Sequence, residues 1–223
     1  MKHFNIKKLF LTVMVLLCCV SANAYDFEVD GIYYKIISAT DLTVEITSGD
    51  NKYTGEVIIP STITYKSKVL AVVKIGSHAF ENCSGLTSIE IPNSVTSIGG
   101  VAFYGCTSLT SVVIPNSVTS IEVSAFNRCR GLTSIEIPNS VTNMGDYVFY
   151  GCTSLTSVVI GSSVTSIGEE AFKDCTALKE LRIKDGQETL KLSYNRYDEY
   201  FGNGEGLFYD CPLETLYLGR NLS

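Results

Sequence analysis

One pattern constrains this chain more than any other: Phe-x-x-Cys returns every 23 residues, at Phe80/Cys83, Phe103/Cys106, Phe126/Cys129, Phe149/Cys152 and Phe172/Cys175. The rest of the unit keeps step. Leu86, Leu109, Leu132, Leu155 and Leu178 share one slot, and Ile91, Ile114, Ile137, Ile160 and Ile183 another. A unit this short cannot enclose its own apolar side chains, so successive units must stack and bury them jointly. Copies one and three carry Gly-Leu-Thr-Ser-Ile-Glu-Ile, from Gly85 and Gly131, whereas copies two and four carry Ser-Leu-Thr-Ser-Val-Val-Ile, from Ser108 and Ser154. That alternation points to duplication of a 46-residue pair.

Within the unit, Leu-x-x-Ile-x-Ile ends with period two, as a strand with one buried face requires. Pro92, Pro115 and Pro138 follow directly and end the strand, because proline donates no ladder hydrogen bond. Ser-Val-Thr-Ser-Ile alternates again and predicts a second, short extended segment. Ala-Phe-x-x-Cys predicts one helical or 3-10 turn with Phe and Cys facing inward. Coils of this kind make a right-handed leucine-rich repeat solenoid, with parallel strands about 4.8 Å apart.

The unit resembles the bacterial BspA-type, or Treponema pallidum-type, leucine-rich repeat. Five full copies span 75–183, and a shortened sixth runs from Phe208 through Cys211 to Leu218. The resemblance implies a secreted or cell-surface protein that binds other proteins, commonly as an adhesin for host matrix components.

The flanks divide as follows. Residues 1–24 read as a secretory signal: Lys2, Lys7 and Lys8 precede an apolar run from Leu9 to Val20, and Ala22-Asn23-Ala24 supplies a cleavage site after Ala24. The 12-residue run is too short to span a bilayer, which needs about 20 residues. Residues 25–74 do not repeat, although Val57-Ile-Ile-Pro60 echoes the strand-ending half unit, and they predict an N-terminal β-rich cap. Residues 184–206 break the period as an insertion, and 207–223 form the shortened terminal repeat, whose Gly219-Arg-Asn-Leu-Ser end is a thin cap.

Removing the signal leaves 14 cationic against 23 acidic residues, a net charge of −9. No basic cluster supplies the footprint of a nucleic-acid binder, and no second apolar stretch is long enough for a transmembrane segment. One histidine, His78, remains. With no unique nucleophile and no Gly-rich phosphate loop, the chain reads as non-enzymatic, without cofactor or metal site. His78 and Cys83 form a nominal nucleophile–base pair, but the slot of His78 elsewhere holds Val101, Ser124, Tyr147 and Glu170, which marks a solvated surface position.

The cysteines fill one repeated slot. Side chains in register point the same way, so their Cβ atoms stay farther apart than the about 3.5–4.5 Å a disulfide needs. Buried free thiols acting as small hydrophobes are expected, with Cys211 as a sixth rung rather than a partner for Cys175.

The candidate binding face is the outward side of the main strands. Ser88, Ser111, Ser134, Ser157 and Glu180 make one row, and Glu90, Val113, Glu136, Val159 and Arg182 the next. Five in-register strands predict a nearly flat face, of the sort solenoids use for binding. The alternative is a solvated face on a structural spacer or assembly module. The partner expected is a protein, including host extracellular matrix, or a glycan. Tyr194, Arg196, Tyr197 and Tyr200, in the insertion, are candidate contacts, because Tyr with Arg is typical of hot spots. A further row, Ser94/Thr96 to Ser163/Thr165, has the hydroxyl spacing of ice-binding solenoids, although β-branched Thr suits exposed strand positions in any case.

Overall fold

The computed structural model describes residues 25–192 and 206–219. Six strands come first: β1 (Phe27–Val29), β2 (Ile32–Ser38), β3 (Thr43–Thr47), β4 (Gly55–Ile58), β5 (Thr62–Tyr65) and β6 (Lys68–Ile75). Each repeat then contributes two. These are β7 (Leu86–Glu90) and β8 (Ser97–Ile98), β9 (Ser111–Val113) and β10 (Ser120–Ile121), β11 (Ser134–Ile137) and β12 (Asn143–Met144), β13 (Ser157–Ile160) and β14 (Ser166–Ile167), and β15 (Glu180–Ile183) and β16 (Lys191–Leu192), with β17 (Thr215–Leu218) last.

The strands pair coil on coil. β8, β10, β12, β14 and β16 align in parallel, Ile98 beside Ile121 beside Met144 beside Ile167 beside Leu192. The first six strands are continuous with this stack. β6 pairs with β8 through Lys74↔Ser97 and Ile75↔Ile98, and β4 pairs with β7, placing Val57 opposite Ile89. The echo of the repeat in Val57-Ile-Ile-Pro60 is therefore a structural one. β1–β2–β3 form an antiparallel meander whose last strand joins β6 in parallel.

The core is a spine along the stacking axis. Phe80, Phe103, Phe126, Phe149 and Phe172 are fully buried. Their rings stack at 5.1, 5.0, 5.6 and 5.6 Å with planes within 12° of parallel, continued by Tyr53 at one end and Phe208 at the other. Each buried Phe contributes roughly 1.5–3 kcal/mol of transfer free energy, plus the ring contacts.

The Ala-Phe-x-x-Cys segment is a run of turns rather than a helix. Its i→i+3 bonds exist, Cys106 N–H to the Phe103 carbonyl at 3.1 Å for example. Two residues per coil nonetheless have positive φ: His78, Val101, Ser124, Tyr147 and Glu170 in one row, and Asn82, Gly105, Arg128, Gly151, Asp174 and Asp210 in another. A left-handed residue every fourth position stops a right-handed helix from propagating. It turns the free N–H groups toward the next coil, as in Phe80 N–H to the Ala102 carbonyl at 2.7 Å.

The six cysteines among the described residues are free, and all but Cys211 are buried. They do more than fill space. Cys106, Cys129, Cys152 and Cys175 each donate Sγ–H to the carbonyl of the Phe 26 residues earlier at 3.1 Å, and Cys211 donates to Phe172 at 2.8 Å. Cys211 is thus a rung of the same ladder.

Candidate functional site

The main-strand face is divided rather than continuous. β4–β7–β9 form one sheet and β11–β13–β15–β17 another. The expectation of five paired strands fails between β9 and β11; proline after a strand shortens the ladder without by itself breaking it, since β9 pairs with β7 although Pro115 follows it. Lys184 N–H reaches the Ile160 carbonyl at 2.9 Å, and Gly219 N–H reaches Ile183 at 3.0 Å. The same slot in earlier coils holds Pro115 and Pro138, which have no N–H to donate. Pairing past the Gly161 and Lys184 slots extends over four positions, to Ile137↔Ile160 and Ile160↔Ile183, whereas β7–β9 stops at three. At Pro138 the ladder opens after the Thr133 N–H to Thr110 carbonyl bond of 3.3 Å.

A cleft of about 390 Å3 lies at this opening, lined by Val112, Val113, Ile114, Pro138, Glu136 and Lys184 among others. Val113 is 79% exposed, more than any other large apolar side chain among the described residues. Lys184 Nζ crosses two coils to reach Glu136 Oε1 at 2.6 Å. The outward rows otherwise stand in register. Ser88 is opposite Ser111, and Ser134, Ser157, Glu180 and Thr215 are aligned. Beside them run Glu90 with Val113, and Glu136, Val159, Arg182 and Tyr217. The Arg182 guanidinium lies 5.0 Å from the Tyr217 ring centre. Tyr217 and Lys184 extend the face beyond the residues read from the sequence. The shortened last repeat hid the first, and the second sits in a slot that is proline in earlier copies. Tyr194, Arg196, Tyr197 and Tyr200 lie outside the described residues, as does the segment 1–24.

The hydroxyl row at Thr96, Thr119, Thr142 and Thr165 is occupied with holding coils together. Each Oγ1–H donates to a carbonyl one coil back, at 3.0–3.4 Å. Thr133 and Thr156 do the same near the main strands.

His78 has a partner that the sequence reading did not find: its Nδ1 sits 2.8 Å from Glu81 Oε2 at the surface. Cys83 points instead into the core, with its Sγ 4.0 Å from the Glu81 carbonyl. Burial pushes the thiols upward, to about 12 for Cys106 and Cys152 and well up for Cys129. Such thiols stay protonated and unreactive. Among the described residues no three His, Cys, Asp or Glu side chains converge to hold a metal, and no helix is long and apolar enough to cross a membrane.

Comparison with known proteins agrees with this geometry. The family described as BspA type leucine-rich repeat region matches residues 73–201, in six copies. A leucine-rich repeat protein from Bacteroides ovatus is 32% identical with a TM-score of 0.66, covering 75% of this chain and 47% of that one. The chain thus spans about half the length of that protein. The T. pallidum leucine-rich repeat protein is 25% identical with a TM-score of 0.64, covering 85% of this chain and 99% of that one. A leucine-rich cell surface protein from Faecalibacterium prausnitzii is 28% identical with a TM-score of 0.51, covering 70% of this chain and 54% of that one. No curated protein matches the chain.

Proposed function

Since this chain belongs to the BspA-type leucine-rich repeat family, we propose that it is a non-enzymatic protein-binding module, secreted or held at the cell surface, that docks a host or matrix protein across its main-strand face. The observation that carries the reading is the exposed Val113, which lines a cleft with Glu136 and Lys184 and stands beside Glu90 on the paired strand. Protein interfaces bury an apolar centre inside a polar rim. The basic start, apolar run and Ala22-Asn23-Ala24 support export, and the cell-surface description of the Faecalibacterium prausnitzii relative supports a similar location.

The test is binding of fragment 25–223 to a panel of immobilised extracellular-matrix proteins. Wild type is expected to bind at least one, and Glu90→Lys/Glu136→Lys to weaken that binding at least tenfold without loss of folding. No binding across the panel, or equal binding by the variant, overturns the reading.

A second reading, a spacer or assembly module of a larger surface apparatus, is favoured by β17, whose Leu216, Tyr217 and Leu218 are 46%, 44% and 39% exposed. Under that reading the two Glu→Lys changes alter nothing.

A further inference from the structure

The turns on the edge of the stack carry a second feature, separate from the strand face. In the left-handed row at Asn82, Gly105, Arg128, Gly151, Asp174 and Asp210, five positions hold Gly, Asn or Asp, the residues that tolerate this backbone. Coil three departs from this with Arg128, at φ 58°. Two residues on, where neighbouring coils have Ser84, Thr107, Thr153 and Thr176, coil three again has an arginine, Arg130. Two of the five arginines of the whole chain thus stand within three residues of each other.

The two exposed side chains line a shallow, open groove of about 380 Å3 together with Tyr104, Asn82, Ser84 and Thr107. Arg128 Nη1 donates to the Tyr104 hydroxyl at 2.9 Å, with the guanidinium 5.8 Å from the ring centre. This holds the tyrosine and the guanidinium side by side. Gly105 lets the Asn82 amide sit directly against the backbone: a Cβ there would lie 2.6 Å from Asn82 Oδ1. Among the described residues neither arginine has a carboxylate partner, in a protein whose net charge is −6.

We propose that the Tyr104–Arg128–Arg130 groove binds a carboxylate-bearing sugar ring, a uronic or sialic acid residue of a glycan. The guanidinium forks donate to the carboxylate, the tyrosine offers an aromatic surface to the ring, and Asn82, Ser84 and Thr107 supply hydroxyl and amide groups for its hydroxyls. An acidic peptide would use the arginines but leaves the ring of donors around the tyrosine without a role.

The experiment is titration of fragment 25–223 with sialyllactose, trigalacturonic acid, lactose and a Glu-rich peptide, read by saturation-transfer NMR and calorimetry. At least one acidic sugar is expected to bind, the two arms telling sialic from uronic acid, and lactose is not. Arg128→Gly/Arg130→Thr installs the residues that fill these slots in coil two, so its melting temperature should equal or exceed that of the wild type while acidic-sugar binding falls at least tenfold. Arg130→Thr alone, outside the left-handed slot, should weaken binding several-fold and decides the matter if the double variant melts lower. Binding should also weaken as salt is raised. Absence of binding by both acidic sugars, equal binding of lactose, unchanged affinity in the variants, or arginine-dependent binding of the Glu-rich peptide alone would overturn the proposal.

Discussion

The Sγ of Cys129 lies 3.1 Å from the carbonyl oxygen of Phe103, one coil back, and the same bond recurs at every coil boundary from Cys106 to Cys211. The carbonyl it meets is already bonded to the N–H of Cys106, so the phenylalanine turn of each coil is tied both to its own cysteine and to that of the next. A residue repeated for this reason is a fastener between units, and the stack is only as cooperative as its fasteners.

Replacing Cys129 by Ala removes one fastener and leaves a buried carbonyl with one bond fewer. A loss of about 0.5–1.5 kcal/mol is expected, since the carbonyl keeps its bond from Cys106 N–H, and urea unfolding followed by far-ultraviolet circular dichroism would measure it. Cys129→Ser keeps a donor in the slot and should recover part of the loss.

Phe126 sits between Phe103 and Phe149 at 5.0 and 5.6 Å, with no exposed surface. Phe126→Ala opens a cavity in mid-stack and should cost about 3–5 kcal/mol. Nearest-neighbour coupling between coils further predicts that unfolding of this variant splits into two transitions, which calorimetry would resolve.

Alkaline pH should loosen the whole array. The thiols of Cys106 and Cys152 are raised by burial from 9.0 to about 12. Between those values the folded protein keeps protons that the unfolded chain has released, so stability falls as pH rises. The contribution is intact below pH 9 and declines by up to about 1.4 kcal/mol per pH unit for each thiol. Buried Tyr34, also raised to about 12, adds to this above pH 10. Urea midpoints should hold steady to about pH 9 and then drop, and Cys106→Ala/Cys152→Ala, though less stable at neutral pH, should drop less steeply.

Val101 is β-branched and held at φ 60°, a conformation that such side chains rarely adopt. Val101→Asn should raise stability by about 1 kcal/mol, a rise of about 2–4 °C in melting temperature for a chain of this size. A lower melting temperature would mean that the half-buried valine side chain contributes more packing than its backbone costs.

The stacking was legible because Phe, Leu, Ile and Cys return with a fixed period, and only burial forces such a period. The left-handed row at His78, Val101, Ser124, Tyr147 and Glu170 was not, since its common property is a backbone angle and its side chains differ. A variable slot reads as a loosely constrained surface. Thr96 and its equivalents looked like an exposed hydroxyl surface because sequence gives no direction for an Oγ–H, which here turns onto the neighbouring coil. The opening between β9 and β11 had no signal of its own: proline follows β9 as well as β11, yet β9 pairs with β7. The pairing of Lys184 with Glu136 joins residues 48 apart, and no periodicity connects them.

Thiol accessibility in fragment 25–223 tests the enclosed spine most directly. Under native, reducing-agent-free conditions at pH 8, Ellman's reagent should react promptly with Cys211 alone, the half-buried rung, whose thiol is lowered by its hydrogen bond with Cys175. Cys83, Cys106, Cys129, Cys152 and Cys175 should titrate only as the protein unfolds in guanidinium chloride. Prompt reaction of all six, or recovery of the cysteines as disulfides, would contradict a stack in which each thiol is closed against the coil before it.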